Sequence, residues 1–100
     1  MFAAFATMFV LQPALVDTMA ANQALSSCIK LTLDDALLRD IEAAAFPAHL
    51  ERVCGPARDA WMKARNAADG EDADEEGTFY EAKARFDAAA SEYQKRRAGR

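Results

Sequence analysis

Apolar positions along most of this chain recur in steps of three and four, the repeat that places side chains on one face of a helix. From Met1 to Val16 almost every position is apolar, with Thr7, Gln12 and Pro13 as the interruptions. Phe2, Phe5 and Phe9 share one helical face there, and a helix this uniformly apolar is expected at the centre of a bundle or in an interface. Thr32 before Leu33, Asp34 and Asp35 predicts a helix start, with a hydroxyl cap and acids in the first turn. Leu33, Leu37, Leu38, Ile41 and Ala45 carry the apolar face of that helix, and Pro47 is expected to end or bend it.

Two further turns are expected over residues 48–54, with Leu50, Val53 and Cys54 inward, before a break at Gly55-Pro56. A helix from Ala57 to about Ala68 follows, its apolar face mostly alanine around Trp61. Residues 69–77 form an acidic turn, after which Thr78 is expected to cap a last helix reaching about Ala98. Phe79, Ala82, Phe86, Ala89 and Tyr93 form the seam of that helix. The pattern predicts an all-α protein, a small bundle of about four to five helices ending in a long antiparallel hairpin. It is read as one helical domain over residues 1–100, in three parts: an apolar segment 1–31, amphipathic helices 32–55 and the hairpin 57–98.

Composition sharpens this picture. Alanine supplies 24 of the 52 apolar residues in a chain of 100. Alanine is the best helix former but removes little area from water, so the core must rest on few large side chains. Residues 56–100 hold only Trp61, Met62, Phe79, Tyr80, Phe86 and Tyr93 as large apolar groups, too few for the hairpin to stand alone. β-Branched residues are too scarce for a sandwich, a barrel or a parallel nucleotide-binding sheet.

Net charge is −4, with no Lys or Arg in residues 1–29, an acidic run at 69–76, and a basic end of Lys95, Arg96, Arg97 and Arg100. This balance disfavours direct nucleic-acid binding, which needs clustered cations on one face. The basic end is read as a complement to the negative end of its own helix dipole.

Candidate chemistry is sparse. Asp72, Asp74, Glu76 and Gly77 match the first half of a calcium loop, but Lys83 stands where a bidentate carboxylate is required. Cys28, Cys54 and His49 make three ligands where zinc needs four, and His49 and Cys54 point apart on a continuous helix. The sequence has no glycine-rich phosphate loop and no nucleophile or metalloprotease motif. No cofactor, metal or enzymatic role is expected. Cys28 and Cys54 are read as two buried thiols of a reducing cytosol, with a single bridge as the alternative.

The function expected is that of a protein-binding module, a small inhibitor or adaptor, monomeric or homo-oligomeric. One specific form is a phage or mobile-element inhibitor of a nucleic-acid-binding host complex. Trp61, Tyr80 and Tyr93 are candidate anchors beside Glu71, Asp72, Asp74, Glu75 and Glu76, because aromatics dominate interface hot spots. The rival is an exported envelope protein with residues 1–27 as its signal, periplasmic or anchored in the membrane. Leu25-Ser26-Ser27-Cys28 resembles the short box before a bacterial lipoprotein's acylated cysteine, although the positive amino-terminal region of a signal peptide is missing.

Overall fold

The computed structural model describes residues 13–100, with side chains from Val16 onward. The buried-helix expectation for residues 1–16 therefore lies almost wholly outside the described residues. Among the described residues there are three α-helices: α1 over Pro13–Leu38, α2 over Phe46–Asp69 and α3 over Glu75–Ala98. Short 3₁₀ turns at Ala43–Ala45 and Gly70–Asp72 precede α2 and α3. The all-α class holds, while the expected four to five helices are three among the described residues, because two expected breaks are absent. Among the described residues no helix is long and apolar enough to cross a membrane.

The first absent break is Thr32, which lies inside α1, buried at 4% exposure rather than capping a helix. Its hydroxyl sits 3.3 Å from Cys54 Sγ, so tertiary packing gives that oxygen a partner and α1 continues. The second is Gly55-Pro56, which α2 passes through without ending. Pro56 costs α2 the hydrogen bond to the Arg52 carbonyl. Burial of Cys54 just before it and Trp61 just after it holds the helix together across the gap. Pro47 sits in the first turn of α2, where its missing N–H goes unnoticed, so it begins a helix rather than ending one.

α1 stops in a Schellman motif. Asp40 takes φ 56°, the Ile41 N–H reaches the Ala36 carbonyl at 3.1 Å, and the Asp40 N–H reaches the Leu37 carbonyl at 3.2 Å. Gly70 ends α2 at φ 60°, a conformation that strains any side chain. Asp74, not Thr78, caps α3, its carboxylate accepting the Gly77 N–H at 2.9 Å. A Cβ at Gly77 would meet that same carboxylate at 2.3 Å, so glycine there keeps the cap in place. Thr78 is buried one turn in and donates to the Asp74 carbonyl.

Two small cores follow. Leu33 and Ala36 of α1, Phe46, Leu50 and Cys54 of α2, and Ala89 and Tyr93 of α3 form the larger. Leu25, Trp61 and Ala82 form the smaller, with Ile29 and Phe86 packed against both. The α3 seam thus runs Thr78, Ala82, Ala89 and Tyr93, and Phe79 falls on its flank at 53% exposure. Leu38 and Val53, expected inward, are exposed at 83% and 46%.

Cys28 and Cys54 are joined by a disulfide between α1 and α2, with Cα atoms 5.8 Å apart, overturning the expectation of two free thiols. The facing helices bring the two positions together, which a sequence separation of 26 conceals. In the loop-entropy account such a link adds about 3 kcal/mol, a large share of what a small alanine-rich core can provide.

Tyr93 joins all three helices at the opposite end from the acidic turn. Its ring stacks on Phe46 at 4.2 Å between centroids, and its hydroxyl is shared between the Ala36 carbonyl at 3.0 Å and the Ile41 carbonyl at 2.6 Å. Each carbonyl keeps a second donor, the Ile41 N–H for one and Arg97 for the other. Tyr93→Phe is therefore expected to cost only about 1 kcal/mol, and Tyr93→Ala about 3–5 kcal/mol. Urea unfolding of the oxidised protein checks the ratio, and a Phe variant as damaged as the Ala variant would refute this account.

Candidate functional site

Most surface charge in this protein is satisfied internally. Asp34, Asp35, Asp40, Glu42, Glu51, Asp59, Glu81, Asp87 and Glu92 each sit within ion-pair distance of a cation. The spacing offers four acid-first i,i+4 pairs, of which Asp35–Arg39 and Glu92–Arg96 form. Asp59 takes the adjacent Arg58 in place of Lys63, and Glu81 takes Arg65 of α2 in place of Arg85, which is turned to Asn22 and Ser26.

The basic end is folded back onto the protein. Arg97 pairs with Asp40 at 2.7 Å and Glu42 at 3.5 Å and donates to the Ile41 carbonyl, while Arg96 reaches Asp34 at 3.5 Å. Beyond complementing the dipole of α3, these arginines fasten it to the end of α1.

The carboxylates outside these pairs, among the described residues, are Asp17 and the six from Asp69 to Glu76. Glu71, Asp72, Asp74, Glu75 and Glu76 are all exposed, on the 3₁₀ turn and the first turn of α3. Asp74 is engaged by its cap bond, and Glu75 and Glu76 lie where the helix dipole favours negative charge. Immediately beyond them Phe79 and Tyr80 are 53% and 58% exposed and meet edge to face, with centroids 5.6 Å apart. The connection between α2 and α3 thus presents unpaired negative charge beside two accessible aromatic rings.

The other two predicted anchors are not at this surface. Trp61 is 3% exposed, packed with Leu25 and Ala82, and flanked by the guanidiniums of Arg65 at 5.5 Å and Arg85 at 5.3 Å. Arg85 is held in place by Asn22 and Ser26 of α1, each at 2.7 Å. Tyr93 is fully buried. Both rings serve the core, Trp61 against Leu25 and Ala82 and Tyr93 against Phe46. Phe79 was read as core and is the aromatic that sequence reasoning missed at the surface. Its three-residue step to Ala82 fits the same seam, so local spacing carries no signal that separates it from the core row.

Chemistry elsewhere is limited. Both sulfurs are committed to the bridge, so neither provides a thiolate. His49 is half-buried, its Nδ1 3.4 Å from Arg52 Nη2 and its Nε2 shielded from solvent with no hydrogen-bond partner. No group of three metal-ligating side chains occurs among the described residues. No family model matches the chain, and neither the curated proteins nor the solved structures compared with it gave a match.

Burial separates the two roles of the aromatic residues. Trp61→Ala is expected to cost about 3–5 kcal/mol of stability, and Tyr80→Ala less than about 0.5 kcal/mol. Thermal unfolding of both variants checks this. Equal losses would place Tyr80 in the core.

Proposed function

We propose that the protein is a non-enzymatic binding module that engages another protein through the end carrying the α2–α3 connection. The observation that carries this reading is the set of unpaired carboxylates from Asp69 to Glu76, beside the exposed rings of Phe79 and Tyr80. Elsewhere the fold pairs nearly every carboxylate, so charge left free here is available to a partner. Aromatic rings beside charge give an interface both apolar area and orientation. Roles as a small inhibitor or adaptor, including one that covers a partner's nucleic-acid-binding surface, fit a negative, aromatic-edged tip.

The Cys28–Cys54 bridge favours placing this activity in an oxidising compartment, periplasmic or envelope-associated, over the cytosol expected from sequence. Excision of residues 1–27 is less readily accommodated. It would delete the fully buried Leu25 and both side chains that hold Arg85.

Neutralising the tip tests the reading. A variant carrying Glu71→Gln, Asp72→Asn, Asp74→Asn, Glu75→Gln and Glu76→Gln should keep its helical signal, since Asn also caps helices. Used as bait in its native host, it should lose at least ten-fold of the proteins captured by the parent chain. Undiminished capture would remove the proposal. For the compartment, thiol titration of protein taken from that host should find both cysteines oxidised, and two free thiols would return the protein to the cytosol.

A further inference from the structure

Between α2 and α3 lies an open groove of about 500 Å³, floored by Pro47, Leu50, Met62, Phe79, Phe86 and Ala90. We infer that this groove is the docking site for an amphipathic helix of another protein, its apolar stripe on the groove floor and basic residues at one end against Glu75 and Glu76. The inference rests on the protein-binding reading and specifies its partner.

The dimensions suit a helix. On α3 the lining runs Phe79, Lys83, Phe86 and Ala90, steps of four, three and four. On α2 it runs from Pro47 to Met62, about 22 Å at the helical rise. A guest of about fourteen residues would fill that length, anchored by side chains at the same spacing.

Charge selects the guest. The charged side chains of the walls are paired, Arg58 with Glu51 and Asp59 and Lys83 with Asp87, and together they leave one excess negative charge. The Arg58 guanidinium also lies over the Phe86 ring at 5.1 Å. Hydrogen bonding to Glu51, reinforced by Asp59, raises its pKa against the opposing effect of burial, so it remains a cation. The row of α3 residues lining the groove, continued one turn back from Phe79, reaches Glu75 and Glu76. Both are exposed and without a cationic partner. The groove therefore attracts cations, most strongly at the end where Glu75 and Glu76 have no cationic partner.

Two sources within the chain fail this requirement. Residues 1–29 contain no Lys or Arg. The basic end of α3 in a second copy has Arg96 and Arg97 already paired with Asp34, Asp40 and Glu42. A separate basic helix fits both conditions.

The probe is a labelled synthetic peptide of fourteen residues, with leucines at its first, fourth, eighth and eleventh positions and three lysines in its last turn. A control peptide carries glutamates in place of those lysines. Fluorescence anisotropy against the oxidised full chain should show saturable binding of the basic peptide and at least ten-fold weaker binding of the control. Phe79→Ser, a change at a half-exposed position, should weaken binding at least five-fold. Glu75→Gln with Glu76→Gln should weaken it and flatten its salt dependence. No binding of the basic peptide overturns the inference. Binding that ignores Phe79→Ser shows contact by charge alone and also overturns it, leaving the acidic-tip reading to be judged by its own capture experiment. Self-association of the labelled chain abolished by Phe79→Ser would make a second copy the occupant, again against the inference.

Discussion

One phenol, that of Tyr93, carries the closure of the three-helix arrangement. Its ring lies flat against Phe46 of α2 while its hydroxyl reaches carbonyls at the carboxyl end of α1. A helix end with buried, unpaired carbonyls would be costly, and here the Schellman turn, Tyr93 and Arg97 share that satisfaction. The ring supplies most of the stabilisation at this junction, and the hydroxyl adds a further donor to carbonyls that each have another. The remaining helix contacts set a few large side chains, Leu25, Leu33, Leu50 and Trp61, against Ala36, Ala82 and Ala89, which allow close approach but remove little apolar area from water themselves.

That economy explains the arrangement of charge. With few large side chains to bury, orientation between helices is supported by arginines that reach across them: Arg85 to α1, Arg65 to α3, and Arg96 and Arg97 to the end of α1 and the turn beyond it. Individually, exposed pairs of this kind contribute little. Several also lay their guanidiniums over Trp61 or Phe86, so they cover apolar surface as well as neutralise charge. The acids left over collect at the one end where no cation is in reach.

The sequence disclosed whatever depends on neighbours within a turn or two. The helical class, the long last helix, the acidic connection, and the pairs Asp35–Arg39 and Glu92–Arg96 were all legible from local spacing. The misreadings share a different cause. Thr32 and Gly55-Pro56 carry strong local signals for a start and a stop, and both were overridden by contacts more than twenty residues away in sequence. The same is true of the bridge itself, and Glu81 exchanged its local partner for Arg65 of α2, sixteen residues away. At the candidate site, the acids were legible because charge so concentrated needs no tertiary context. Of the aromatic anchors only Tyr80 lies at the surface, and Trp61 and Tyr93 do not, because periodicity marks which side chains share a face and does not say which face is covered.

Pro56 has a mechanical consequence for the acidic end. A helix missing one rung of its ladder bends most easily there, and in α2 that turn falls between two clamps of different kinds. On one side Cys54 is tied covalently to α1; on the other Trp61 is held by packing and by the planes of two arginines. A covalent clamp does not slip, whereas a packed one yields by degrees. The half of α2 that leads to the acidic connection is thus joined to the half that meets Tyr93 through a turn short of one backbone hydrogen bond, and its alignment rests on Trp61 and its two arginines rather than on a continuous ladder.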